Sequence, residues 1–323
     1  MSENEVMRAI VYKKYGPPDV LHLEEVGKPA PKDHEILIKV RAASINAYDW
    51  RHLRPDPFFL RLLGGGLLKP KRRILGADMA GRVEAVGAGV KGFKPGDDVV
   101  GDGGHGGYAE YASVDENKFV LKPAELTFEE AAAMPMAALT ALQGLRDKGH
   151  IRAGQTVLIN GASGGVGTFA VQIAKAYGTE VTGVCRTSKT DLVLSIGADQ
   201  VVDYTREDVT KTDRRYDLIF DVAAFRSVSS YKRILAPAGV YVLAGGSMAR
   251  IFQSMIMSLT GARNMKFLAA KVKREDLLFI LELMKAGRVR SIVDKHFPLS
   301  ETAEAFRYYE EGCTRGKIVI TVP

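Results

Sequence analysis

The chain changes its hydrophobic rhythm near residue 125. Before that point apolar and polar positions alternate over short runs such as EILIKVRAASIN, MAGRVEAVG and DDVVG, with Gly and Pro between them. A period of two sends successive side chains to opposite faces, so these runs predict half-buried strands. PAELTFEEAAAMPMAALTALQGL then reads as helical, and TFEE offers a capping box with Thr127 as N-cap and Glu130 at N3. From residue 156 the two rhythms alternate. TVLIN predicts a strand. GVGTFAVQIAKAYG predicts a helix with Val166, Phe169, Ala170, Ile173, Ala174 and Tyr177 on its apolar side. EVTGVC, QVVDY, YDLIFDV and GVYVLAG predict further strands, with a helix around KTDLVLSIGA. Strands alternating with helices imply a parallel, doubly wound sheet, at about 126–270. The tail predicts helices in EDLLFILELMKAG and ETAEAFRYYEEG, then a last strand in KIVITV.

Two stretches stand outside this pattern. PFFLRLLGGGLLKPKRR (57–73) is apolar and basic; MARIFQSMIMSLTGA (248–262) puts Ile251, Phe252, Met255, Ile256 and Leu259 on one helical face. Each fits packing against the core or a second copy, or lining a pocket for a lipophilic substrate. The first also allows peripheral membrane contact, through the basic residues at its end.

Composition narrows the class. A length of 323 residues suggests about two domains, and 46% hydrophobic with 26% charged residues is an ordinary globular mixture. Cys185 and Cys313 are the only cysteines. They cannot build a disulfide framework or a four-cysteine zinc site, which suits a reducing compartment. MSENEVMRAIVYKKYG carries no targeting pattern, and no apolar run reaches the roughly 18 residues of a membrane helix, so the cytoplasm is expected. The net charge of +7 fits a solvated basic surface first and attraction for anionic ligands second. Nucleic acid ranks last, because no zinc-finger, RNP or basic-helix motif is present.

The candidate chemistry starts at NGASGGVG (160–167), between the strand TVLIN and the helix that follows. At a strand-to-helix turn, backbone N–H groups and the helix dipole attract a phosphate, and missing side chains let the backbone approach it. Gly161, Ser163, Gly164, Gly165 and Val166 are therefore candidate pyrophosphate contacts. The spelling is not strict G-x-G-x-x-G, so a plain turn stays open. The next strand ends in Cys185, followed by Arg186-Thr187-Ser188-Lys189, with no carboxylate before Asp191. An NAD site usually places a carboxylate there for the ribose hydroxyls. Arg, Ser and Lys suit a 2′-phosphate, which points to NADPH; a basic surface turn is the other reading.

Taken in order, GADMAGRVEAVGAGVKGFKPGDDVVG, GGYAEYASV, AAAMPMAALTALQGL, GQTVLINGASGGVGTFAVQIAKAYG and GKIVITV resemble the medium-chain dehydrogenase/reductase superfamily over nearly the whole chain. Within it the sequence resembles the zinc-free quinone oxidoreductase branch, which includes zeta-crystallin and the chloroplast-envelope quinone oxidoreductase homologues. The resemblance implies an α/β fold: a GroES-like β-rich catalytic domain at 1–125, completed by 290–323, and a Rossmann domain at 126–289. It implies an active site in the cleft and a dimer or tetramer joined through the Rossmann sheet, with a homodimer expected. Zinc-dependent relatives carry ligands where Asn46, Ala77 and a position near Met136 stand here, and none of these is a useful Zn²⁺ ligand. No metal is expected. Without zinc to polarise a simple ketone, hydride goes more easily to a quinone or a conjugated C=C, where the developing charge is delocalised.

By the same resemblance Asn46 faces the nicotinamide ribose, and Tyr48 either donates a hydrogen bond or proton to the enolate or walls the pocket, with water as the other proton donor. Asp49 belongs to the same SINAYDWR segment and either serves the site or pairs with Arg51. Thr140 contacts the nicotinamide end or sits helix-internally. Tyr204 lies near the 2′-phosphate or simply ends a strand. Val222, Ala223, Ala244, Gly245 and Gly246 end strands at the carboxyl edge; Leu268 meets the carboxamide through its backbone. Lys317 reaches the cofactor phosphates or lies on the surface. The leading function is an NADPH-dependent reductase of quinones or α,β-unsaturated carbonyls, with a small, lipophilic, electrophilic substrate. The alternatives are a medium-chain enoyl-thioester or alcohol oxidoreductase, and a non-catalytic NADPH-sensing or RNA-binding protein of zeta-crystallin type.

Overall fold

The computed structural model describes residues 5–55, 66, 68–245 and 264–323. Gly246, the whole 248–262 stretch and most of 57–73 lie outside the described residues. The chain divides into two compact units. One comprises Met1–Met136, Val272–Leu281 and Val293–Pro323; the other comprises Ala137–Lys271 and Glu282–Ile292.

The first unit opens with β1 (Val6–Val11) and β2 (His22–Gly27), an antiparallel pair. β3 (Glu35–Ser44), helix α1 (Ala47–Leu53), β4 (Asp78–Val86), β5 (Asp98–Asp102), β6 (Tyr111–Asp115) and β7 (Phe119–Leu121) follow. β3 pairs with β4 and β6, β4 with β5, and β5 with β7, all antiparallel. The alternation seen in the sequence buries Ile36, Ile38, Val40, Val83 and Val99 on one core, each at about 1.5–3 kcal/mol of apolar burial.

Next come α2 (Phe128–Ala132) and α3 (Pro135–Gln143). The sequence predicts one helix here; the structure makes two. Thr127 caps α2 as expected, accepting from Glu130 N at 3.1 Å while Glu130 Oε2 accepts from Thr127 N at 3.0 Å. Pro135 brings no N–H and crowds the preceding turn, so α2 stops and α3 starts on the proline.

The second unit carries β8 (Thr156–Asn160), α4 (Gly165–Ala176), β9 (Glu180–Cys185), α5 (Thr190–Ser195), β10 (Gln200–Asp203), β11 (Tyr216–Asp221), α6 (Val228–Lys232), β12 (Leu235–Leu243) and β13 (Met265–Phe267). Among the described residues its six strands run in the order β10-β9-β8-β11-β12-β13, and every pair is parallel. Numbered from β8 this is 3-2-1-4-5-6, the doubly wound dinucleotide order, with its switch point between β8 and β11.

After α7 (Arg274–Lys285), β14 (Val293–Pro298) and α8 (Thr302–Glu310), β15 (Lys317–Thr321) returns to the first unit. It lies antiparallel to β3, with β14 beside it. The C-terminal strand thus completes the N-terminal sheet, and Ile318, Ile320 and Phe306 join its core. Among the described residues no helix is long and apolar enough to cross a membrane.

Candidate functional site

In the second unit the glycine turn sits at the switch point. Gly161 has φ +87°, a conformation that costs a side-chain-bearing residue strain, and its N–H and that of Ala162 both donate to Val184 O on β9 (3.1 and 3.0 Å). Helix α4 begins on Gly165 with Gly164 as N-cap and no side chain capping it. Its first-turn N–H groups have no acceptor within the helix, so they form an anion-binding end. Ser163 is buried beside this turn.

The neighbouring strand end is held by Asp221, a fully buried carboxylate at the end of β11. Asn160 Nδ2 (2.7 Å) and Ala224 N (2.8 Å) donate to its Oδ1, and Tyr241 Oη donates to Oδ2 (2.7 Å). Burial pushes its carboxyl upward against these donors. The cluster fixes the two switch-point strand ends, and with them Val222 and Ala223, which are half-buried at the edge. Ala244 and Gly245 follow β12; Ala244 N donates to Asp221 O at 2.9 Å. Leu268 is buried, and its N–H donates to Leu243 O at 2.9 Å. Thr140 is buried in α3.

At the end of β9 Cys185 is buried, whereas Arg186, Thr187 and Ser188 are exposed and Lys189 is half-buried. Arg186 Nε lies 3.3 Å from Tyr204 Oη, and Tyr204 is exposed. Thr187 Oγ1 donates to Asp203 Oδ2, and Thr205 donates to Asp203 Oδ1 from its N–H (2.9 Å) and hydroxyl (2.7 Å). The Thr187 and Thr205 hydroxyls hold the Asp203 carboxyl down at about 2. The sequence shows no carboxylate on this turn because Asp203 arrives from the next strand.

The first unit holds a second constellation. Asn46 is the N-cap of α1, and Asp49 lies one turn on. Asp49 is fully buried; Oδ1 accepts from Gly76 N (3.0 Å) and Ala77 N (3.1 Å), and Oδ2 from Asn46 N (3.0 Å). Its partners are these backbone groups and the Tyr108 hydroxyl, not Arg51. Burial pushes its carboxyl up to about 6 despite these donors. Asp78, also fully buried, accepts from Asn46 Nδ2 (2.9 Å) and Ser44 Oγ (3.3 Å) at Oδ2, and from Met136 N (3.0 Å) at Oδ1. Lys317 is buried too, so it is not the surface lysine that was one expectation for it; its Nζ donates to Ile45 O (3.1 Å) and to Asn46 Oδ1. Asp102 accepts from Gly104 N at 2.8 Å, and burial pushes its carboxyl up. Tyr48 is half-buried against His52, ring centres 4.1 Å apart, and burial raises its hydroxyl above the usual range.

Comparison with known proteins fits this frame. Residues 32–124 match the family described as alcohol dehydrogenase GroES-like domain, and residues 196–320 match the zinc-binding dehydrogenase family. The chain is 34% identical to the protein named quinone-oxidoreductase QR1, chloroplastic, of Triphysaria versicolor, over 98% of each chain. The chain belongs to the medium-chain dehydrogenase/reductase superfamily. It is also 34% identical to the NADPH-dependent alkenal/one oxidoreductase, chloroplastic, of Arabidopsis thaliana, over 97% of this chain and 79% of that one. The solved quinone oxidoreductase from Coxiella burnetii superposes with a TM-score of 0.87 at 28% identity, covering 99% of this chain and all of that one. The fold class is as the sequence implies, and a nicotinamide cofactor comes with it.

Sequence reasoning brought together the glycine turn and the Cys185–Lys189 segment, which β8 and β9 do place at one sheet edge. It passed over Asp221, Tyr241, Asp203, Asp78 and Asp102. A buried Asp closing the apolar run YDLIF is the one signal that a closer reading could have used. The others join only through pairing of distant strands.

Proposed function

We propose that this chain is an NADPH-dependent, zinc-independent oxidoreductase that passes hydride to a quinone or an α,β-unsaturated carbonyl compound. The uncapped N-terminus of α4 on a glycine turn at the sheet's switch point carries this reading. The first-turn N–H groups, with Gly161, Ser163, Gly164, Gly165 and Val166, hold the pyrophosphate. Gly167 fits the same purpose: a Cβ there would stand 2.0 Å from Gly161 O, so only glycine lets the helix pack this close to the turn. Arg186, Ser188, Lys189 and Tyr204 hold the 2′-phosphate through charge-assisted and hydroxyl donors, and Thr187, whose hydroxyl is given to Asp203, through its N–H. When bound, the nicotinamide supplies the hydride. We assign the cofactor to 126–289 and the groups serving the acceptor, Tyr48 foremost, to 1–125 and 290–323. A tyrosine hydroxyl is protonated at neutral pH, as a donor to a developing enolate must be, and burial raises that of Tyr48 further.

The donor set in the first unit does not suit zinc. Zn²⁺ wants thiolate, imidazole or carboxylate lone pairs. Both Asp49 oxygens and both Asp78 oxygens are already engaged, Ala77 offers no ligand atom, and the Lys317 ammonium stands 3.7 Å from Asp78. Acceptors whose developing charge is delocalised need least help from a Lewis acid. β13 ends the second unit's sheet, an edge that a second copy can extend into a homodimer. Cys185 and Cys313 are free thiols, which suits a reducing compartment.

The test is NADPH oxidation against 1,2- and 1,4-quinones, alkyl vinyl ketones and 2-alkenals, with NADH in parallel. Turnover on at least one class with NADPH preferred is expected. Tight NADPH binding with no turnover anywhere would remove the enzymatic reading.

A further inference from the structure

The match to a zinc-binding dehydrogenase family sits beside a centre built around an ammonium. Lys317 opens β15, 3% exposed, among three buried aspartates. Burying a lysine is costly unless partners surround it. Here they do. Its Nζ donates to Ile45 O at 3.1 Å and to Asn46 Oδ1, and lies 3.7 Å from Asp78 Oδ2. Asn46 in turn gives Nδ2 to the same Asp78 oxygen at 2.9 Å and to Ser44 O at 3.4 Å. The carboxamide is therefore gripped at both ends, and its O and N positions follow from charge: the ammonium takes the oxygen, the carboxylate takes the NH₂. Asp78 passes the restraint on, since its other oxygen accepts the Met136 N–H at 3.0 Å. One cation thus ties β15 to Asn46 before α1 and to Asp78 on β4.

We propose that Lys317 is the fixed cation of this centre, a positioning residue that orients Asn46 and Asp78 as a bound metal orients its ligands. A metal does this by coordination; the ammonium does it by donating to lone pairs already on the protein. The arrangement explains how a chain of this superfamily can keep Asn46 and Asp78 ordered without metal ligands at 46 and 77. Lys317 then serves geometry rather than the cofactor phosphates, and the two roles separate experimentally. The inference rests on the proposed oxidoreductase reading for its kinetic readout alone.

The test uses the full-length protein and the variants Lys317→Met and Lys317→Arg. The first readout is the Asn46 side-chain NH₂ pair in ¹H–¹⁵N spectra, assigned by its loss in Asn46→Ala. In the wild type these protons are shifted by the Asp78 carboxylate and exchange slowly. Lys317→Met should collapse both features, and Lys317→Arg, which keeps a donor cation, should restore them. The second readout is kinetic. Lys317→Met should lower kcat by about 10- to 100-fold, the range for losing a group that orients a ligand side chain, with KM for NADPH near the wild-type value. An unmoved Asn46 signal in Lys317→Met would overturn the proposal. So would a raised KM for NADPH at unchanged kcat, which is the signature of a phosphate contact, or stoichiometric zinc in dialysed wild-type protein. Should Lys317→Met not fold, Lys317→Arg decides alone, since a displaced Asn46 signal there contradicts a role met by any well-placed cation. A protein that turns over none of the test acceptors sinks the activity, while the Asn46 signal still judges Lys317.

Discussion

Two glycines of the cofactor turn, Gly164 and Gly167, should fail in opposite ways, one losing the ligand and the other losing the fold's tightness. At Gly167 a methyl group would meet Gly161 O at 2.0 Å and the Ala162 Cα and carbonyl carbon at 2.8 Å. All three are backbone atoms, so α4 must move. Overpacking of this kind costs about 1–3 kcal/mol, which for a chain of this size is a drop of about 1.5–4.5 °C in Tm. At Gly164 a methyl group would meet only Gly161 O at 3.6 Å, an ordinary contact. Its φ of −85° and ψ of 176° suit alanine, so Gly164→Ala gives up only the N-cap preference for glycine, about 1 kcal/mol or less. The new methyl stands, however, where an anion must approach the first-turn N–H groups. Gly164→Ala should therefore melt close to wild type yet bind NADPH about tenfold or more weakly, about 1.4 kcal/mol or more. Thermal melts paired with calorimetric NADPH titration of both variants measure the two effects. Wild-type NADPH affinity in a folded Gly164→Ala protein would refute the cradle and leave NGASGGVG a plain turn.

Two further outcomes follow from the same geometry. Replacing Arg186 and Lys189 together by Ala should weaken NADPH by about 1.5–3 kcal/mol per lost charged contact while NADH changes little; equal losses for both nucleotides would count against the phosphate site. Asp49 gives a pH signature: its carboxyl ionises near 3.9 in the unfolded chain and at about 6 when folded, so the folded state binds more protons between those values. Its contribution to stability is full below about pH 4 and falls by about 3 kcal/mol as the pH rises to about 6. Urea denaturation at intervals from pH 4 to 7 should show the wild type losing stability relative to Asp49→Asn over that window, and parallel curves would exclude a raised Asp49.

Much of the second unit was legible because its signals are local. TVLIN and EVTGVC became β8 and β9 at the residues the pattern marked, since each is a short, mostly apolar run that a buried parallel strand needs, and each is followed by a breaker or a charge, Gly161 and Arg186. Thr127 and Glu130 formed their capping box because both partners lie within one turn. The break at Pro135 was equally local and was overlooked, although proline forbids the continuous helix.

What the sequence determined by itself, then, was the rhythm of elements and the glycine turn between β8 and α4, because neighbours along the chain suffice to set them. Only the tertiary structure decided which charges meet. Asp203 reaches Thr187 through the pairing of β10 with β9, and Asp221 closes on Asn160 through the pairing of β11 with β8. Lys317 lies 271 residues from Asn46 in sequence and touches it because β15 returns beside β3. Its burial is set by strand register, which no local pattern encodes. A lysine before an apolar strand looks the same in sequence whether it faces water or three aspartates.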